Sequence, residues 1–408
     1  MLKTGVLLVA LITLNSISCT ITNYLTESDQ KDLQKVLLKL YHEANDVPTA
    51  YYTISTLNVL KNKHDIDKIS SAVCTKIESI KKIDNFENVM EDSFYLTTLS
   101  NQFKCKTTLQ SQINEKAKQI IDSAEIKDLS EFYYAFEILQ MNKITFSTQK
   151  IAQSLQNYLK SHDSLSDFGY GFQVASKLAG DSSKFFSHIE DVLAQADEVK
   201  TSEGSWLQFE GGLSVTSNII TGIAKLSASL KKPIPLNQHQ SDLFANYLYS
   251  RKIVKTSKGI YSLISMSASL IESSVSPISV TNYDTRKIST DGPFYVKVCD
   301  FFGNPVKNLA PNAVLAESVI KVADKSEVLS KSPFKRSSTD STKFELSLKL
   351  KVGQFKVSVK VNDSPSVSLM TTVMKSVQID SIKFDVIKAE DDINKAKNVD
   401  LSKVAVVL

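Results

Sequence analysis

The sequence predicts a multidomain chain, α then β: an N-terminal α-helical hairpin repeat of α/α-toroid or solenoid type, an immunoglobulin-like β-sandwich, and the start of a further β domain. Three observations predict it. No proline falls between Pro48 and Pro233, and apolar residues recur there at helical spacing. Segments headed by aromatic residues return along the same stretch. Near residue 276 the helical period gives way to strict alternation. With 408 residues and 42% hydrophobic content, the chain has material for two or three cores.

The first element is a leader. Met1-Leu2-Lys3 gives a short basic start, "GVLLVALITL" an apolar run too short to span a membrane, and "NSISCT" the small residues of a cleavage site. Residues 1–18 therefore read as a secretory signal peptide, and the mature chain enters an oxidising compartment.

The helical repeat is assigned to 24–275. In "SDQKDLQKVLLKLYHEA" Ser28 is the N-cap candidate, and Leu33, Val36, Leu37 and Leu40 form one stripe. "TAYYTISTLNVL" is then echoed by "DSFYLTTLSNQF", "EFYYAFEILQM" and "DFGYGFQVASKL", with "SKGIYSLISMSASL" a looser copy. Taking Tyr52, Tyr95 and Tyr133 as equivalents, the steps are 43 and 38 residues, a period that fits stacked helix–turn–helix units. These aromatics are expected to supply core area rather than to build a cofactor box. In "GSWLQFEGGL", Trp206 and Phe209 are expected to bury as a new helix starts, with Ser205 able to cap it. Gly211 and Gly212 would let a neighbouring helix approach, and Gln208 and Glu210 would face solvent or a partner.

The sandwich is assigned to 276–375. Its clearest stretch is "KFELSLKLKVGQFKVSVKV", where Phe344, Leu346, Leu348, Leu350 and Val352 share one face. Beyond Gly353-Gln354 the parity flips to Phe355, Val357, Val359 and Val361, which predicts a β-hairpin with one buried face. "PFYVKVCD", "AVLAESVIKV" and "SVSLMTTVM" supply further strands, and residues 376–408 begin an incomplete second β domain.

Chemistry is sparse. Net charge is +4, from 48 basic and 44 acidic residues spread along the chain, which argues against a nucleic-acid partner. The five histidines form no HExxH, and there is no GxSxG, P-loop or GxGxxG. No catalytic, cofactor-binding or metal-ligating constellation is expected, and no small-molecule substrate. Cys74, Cys105 and Cys299 have no CxxC spacing. Either Cys74 and Cys105 pair, with Cys299 buried in a strand, or the three are separate buried thiols. Asn362-Asp363-Ser364 is an N-glycosylation sequon, weakened by its central Asp and by Pro365.

Four segments in order, "YLTESDQKDLQKVL", "TAYYTISTLNVL", "SWLQFEGGLSVTSNIITGIAKL" and "KFELSLKLKVGQFKVSVKV", resemble the ribophorin II family over residues 24 to about 390. The resemblance implies a non-catalytic subunit of the oligosaccharyltransferase complex of the endoplasmic reticulum, supporting protein N-glycosylation performed by another subunit. It implies oligosaccharyltransferase partners, no cofactor, and a Cys74–Cys105 disulfide, because the family has a cysteine pair there. It also implies a further β domain and C-terminal transmembrane helices, whereas this sequence ends at Leu408 after "VAVVL". Membrane association is thus expected through such helices or through partners. Two alternatives come from other classes. A secreted toroid enzyme acting on glycan or lipid would need acidic residues converging on the concave centre. A secreted adhesion module would use the sandwich.

Overall fold

A computed structural model describes residues 21–375, apart from 22, 45, 84–85, 124, 203, 284–286, 363 and 365. The signal peptide expected at 1–18 and the further β domain expected at 376–408 lie outside the described residues. Twelve helices are described, with one short hairpin among them. They are α1 Glu27–Ala44, α2 Val47–Val59, α3 Lys63–Ser79, α4 Val89–Phe103, α5 Gln110–Asp122, α6 Leu129–Met141, α7 Thr148–Ser161 and α8 Leu165–Ala175. A 3₁₀ segment (Ala179–Phe185) and α9 His188–Leu193 lead to strands β1 Asp197–Thr201 and β2 Gly204–Gln208. Then come α10 Gly212–Ser229, α11 Gln238–Ser250 and α12 Ser257–Ile271.

The helices fall into two kinds, and the sequence dictates which is which. In α3 only Ile66, Ile69, Val73 and Ile77 bury, and in α5 only Ile113, Ala117 and Ile121: single stripes on helices otherwise facing water. By contrast α2 and α6 bury almost every residue from Val47 to Leu57 and from Leu129 to Leu139. The second kind forms the inner layer. Each of α2, α4, α6, α8, α10 and α12 packs on the next, and α12 returns to α2. The ring is closed, so this is a toroid and not an open solenoid. Side-chain caps start α2, α6 and α12: Asp46, Asp128 and Thr256 accept from the backbone N–H of Thr49, Glu131 and Gly259. The closest seam lies between α8 and α10, where a Cβ on Gly222 would stand 2.6 Å from the Gly169 carbonyl oxygen.

Three local expectations shift. Thr26, not Ser28, caps α1: its Oγ1 accepts from Asp29 N–H while the Asp29 carboxylate accepts from Thr26 N–H. "GSWLQ" is strand β2, antiparallel to β1, not a helix start. Gly211 and Gly212 sit at φ 90° and 76°, left-handed backbone that turns the chain out of the strand into α10. A Cβ on Gly211 would meet Val215 of the same helix, and one on Gly212 would meet nothing, so no neighbouring helix uses them.

The β region comprises β3 Ser279–Asn282, β4 Lys287–Ser289, β5 Phe294–Cys299, β6 Val314–Lys321, β7 Glu327–Pro333, β8 Lys335–Arg336, β9 Lys343–Leu346, β10 Gly353–Val361 and β11 Val367–Met374. One sheet has the order β4-β11-β10-β6-β7, the other β3-β5-β9-β8. Phe294, Val296 and Phe344 from one sheet share a core with Val319, Phe355 and Val357 from the other. The alternating stretch 343–361 spans both sheets rather than forming a hairpin: β9 pairs with β5 and β8, β10 with β6 and β11. Alternation marks an inward face, and strands facing each other across a sandwich satisfy that as well as neighbours in one sheet. The buried faces read from parity hold from Phe344 to Leu350 and from Phe355 to Val361, but Val352, on the crossing, is 57% exposed.

The two regions interlock at the N-terminal segment. Ile21 bridges to Ser279, Leu25 N–H donates to the Phe301 carbonyl at 2.9 Å, and Gln30 Nε2 donates to the Phe302 carbonyl at 3.0 Å. Phe301 belongs to the core of the helical ring although it follows β5 in the chain.

Candidate functional site: a tyrosine-lined axial cleft

A cavity opens on the axis of the ring, with an empty volume of about 870 Å³ that includes the open solvent at its mouth. All six inner helices line it, each with residues from its first three turns, so the cleft lies at the end of the ring where those helices begin. The repeat explains the lining. Tyr51-Tyr52 of α2, Phe94-Tyr95 of α4, Tyr133-Tyr134 of α6 and Tyr170 of α8 occupy matching places in successive helices. Ring closure then brings Tyr261 of α12 against Tyr51 and Tyr52, with centroids at 5.8 and 5.4 Å.

Their hydroxyls form a chain around one carboxylate. The Tyr52 and Tyr95 hydroxyls lie 2.5 Å apart; Tyr95 donates to Glu91 Oε1 at 2.5 Å and Tyr134 donates to the same oxygen at 2.9 Å. Tyr134 reaches the Tyr170 hydroxyl at 3.4 Å, and Lys258 Nζ stands 3.4 Å from Glu91. Burial pushes the Glu91 carboxyl up. The Tyr95 hydroxyl, the Lys258 charge and the Tyr134 hydroxyl together outweigh it and hold the group below its ordinary range. Burial holds Tyr52, Tyr95, Tyr133 and Tyr134 well above an ordinary phenol, so they act as neutral donors.

A second network lies beside the first. Gln173 Oε1 accepts from the Tyr133 hydroxyl at 3.3 Å and from Lys225 Nζ at 2.6 Å, and Gln173 Nε2 donates to Asn218 Oδ1 at 2.5 Å. Lys177 closes on Glu137 at 2.5 Å.

Within their matches to known families, residues 25–271 fit the ribophorin II N-terminal domain and residues 278–380 the ribophorin II second domain. The chain belongs to the ribophorin II family. In ribophorin II terms the first match ends with α12, where the ring closes, and the second takes in all the described strands from β3 onward.

Of the residues singled out in the sequence, this ribophorin II fold brings Tyr52, Tyr95 and Tyr133 together at the cleft. The equivalence differs in one detail. Tyr134, not Tyr133, continues the hydroxyl chain from Tyr95, while Tyr133 takes the Phe94 place and packs on Tyr170 with centroids at 5.1 Å. Glu91, Tyr134, Tyr170 and Lys258 are functional-site residues that sequence reasoning missed. The signal for Glu91 was a carboxylate in the first turn of a helix otherwise nearly apolar on its ring-facing side.

The other singled-out residues lie elsewhere. Trp206 is half-buried on β2 opposite Val199, its Nε1 buried without a hydrogen-bond partner, and it does not line the cleft. Phe209 is buried against Phe244 of α11, Gln208 is half-buried and Glu210 exposed. Cys74 and Cys105 are joined by a disulfide that ties α3 to the turn after α4, and Cys299 is a buried free thiol in β5. Asn362 is exposed at φ 49°, just past the end of β10. Among the described residues, no group of three or more His, Cys, Asp or Glu could hold a metal ion. No described helix is long and apolar enough to cross a membrane.

Proposed function

We propose that this chain is a non-catalytic, structural subunit of oligosaccharyltransferase in the lumen of the endoplasmic reticulum, supporting N-glycosylation carried out by another subunit. The observation that carries the reading is family membership over both folded regions, 25–271 and 278–380. The cleft supports it. Hydrolytic chemistry on a toroid axis needs a free acid and a free base, and Glu91 is held ionised by Lys258 and two tyrosine hydroxyls at 2.9 Å or less. The ring and sandwich supply rigid surfaces for other subunits, and membrane association comes through those subunits or through further segments of the gene product.

The test is affinity purification of the tagged full-length gene product from microsomes, coupled to depletion in cells. The catalytic oligosaccharyltransferase subunit should co-purify, and depletion should lower glycan occupancy on a multi-sequon reporter. Recovery of the protein without that subunit, with occupancy unchanged on depletion, would overturn the proposal.

A further inference from the structure

We propose that the axial cleft binds a neutral oligosaccharide. This inference stands on the cleft's chemistry and does not depend on membership of any complex. Lys258 is the one charged side chain among the residues lining the cleft, and Glu91 at 3.4 Å neutralises it. Among the lining residues an anionic ligand such as a phosphate would meet only this paired lysine, and a cationic ligand would meet no carboxylate. An acyl chain fits poorly, because the wall formed by α8, α10 and α12 presents half-exposed Ser166, Ser214, Asn218, Thr221 and Ser265. What remains is a molecule with apolar faces and a hydroxyl rim. A pyranose has both: C–H faces that lie on aromatic rings, and hydroxyls that exchange hydrogen bonds with serine and amide groups.

The two sides of the cleft match that division. Tyr170 and Tyr261 are half-exposed, whereas the rings beneath them are buried. They therefore present faces for stacking, and the hydroxyl-bearing wall of α10 and α12 stands beside them. The rigid tyrosine floor is pre-organised by its own hydrogen bonds, so little ordering accompanies binding.

The experiment titrates the purified full chain with mannotriose, maltotriose and triacetylchitotriose by calorimetry, with an uncharged Gly/Ser/Tyr heptapeptide as the competing class. One trisaccharide should bind with a dissociation constant of about 1 mM or tighter. Its binding should weaken roughly tenfold or more in Ser265→Leu and in Ser214→Leu, with melting temperatures unchanged. Hydrogen exchange on the unmutated protein reads the same site even where a variant misfolds: the sugar should slow exchange in segments 212–221 and 257–265 and leave the sandwich unchanged. Absence of binding by all three sugars at about 10 mM, binding of the peptide alone, or protection confined to other segments would each overturn the proposal.

Discussion

At the scale of single residues, two carboxylates, the half-buried Glu91 and the buried Asp242, respond to pH in opposite directions. Glu91 is held below its ordinary value of 4.5, so its contribution to stability is present above that value and is lost as pH falls through the folded pKa. Glu91→Gln should remove this acid-side loss. At pH 7 it should destabilise the ring by roughly 1–3 kcal/mol, because the Tyr95 and Tyr134 hydroxyls and Lys258 lose a charged acceptor. Urea titrations of both proteins from pH 3 to 8 read the difference. Asp242 on α11 is the reverse case: burial raises its pKa from 3.8 to about 7, and its Oδ2 has no hydrogen-bond partner. The unfolded chain releases that proton first, so stability falls as pH rises from about 4 to about 7, by a term on the order of 4 kcal/mol. Asp242→Asn should stabilise the protein at pH 7 and leave it nearly unchanged near pH 4. An Asn variant no more stable at neutral pH would contradict the assignment.

At the scale of elements, what was legible in the sequence depended on periodicity. The inner helices announced themselves through aromatic pairs because ring closure places the same helix position at the same axial level each time. The β2 strand was illegible for the same reason: five residues starting at Gly204 carry too few periods to separate a strand from a helix start. Crossing from β9 to β10 was misread because parity reports burial and not the sheet a strand joins. Glu91 escaped notice because a first-turn carboxylate is the ordinary electrostatic choice at a helix N-terminus, and only the ring shows three tyrosine-bearing helices converging on it. Glycines divide likewise. Gly211 and Gly212 stood out in the sequence and serve a turn, while the spatial role belongs to Gly169 and Gly222. Gly222→Ala should test that seam. Alanine favours a helix by about 1 kcal/mol over glycine, but its Cβ would meet backbone oxygen at 2.6 Å and Phe172 Cβ at 3.1 Å. A net loss of about 1–3 kcal/mol in chemical denaturation is expected; a gain would show that the α8–α10 seam yields freely.

At the scale of the whole molecule, the ring and the sandwich are coupled by a segment that each lends to the other. Ile21 extends the sandwich from the helical side, and Phe301 is inserted into the helical core from the sandwich side. The loop carrying Phe301 is held by the buried Asp300 carboxylate, which accepts from the Phe302 and Asn304 backbone N–H groups at 2.9 Å each. Gly303 adopts φ 80° there, and a Cβ on it would press on the Tyr24 ring at 3.0 Å. Phe301 is 1% exposed, so removing its ring leaves a cavity in the helical core and loosens an aromatic anchor crossing from the sandwich, leaving the partly buried Phe302 beside it. Phe301→Ala should therefore cost about 3–5 kcal/mol, and the loss should be unequal. The sandwich keeps its own two-sheet core and should retain its midpoint, whereas the ring should melt earlier, splitting one calorimetric transition into two. If the junction instead carried little coupling, the unmutated protein would already melt in two steps, and the substitution would lower the ring transition without changing their number. Calorimetry of both proteins decides whether ring and sandwich behave as one cooperative unit.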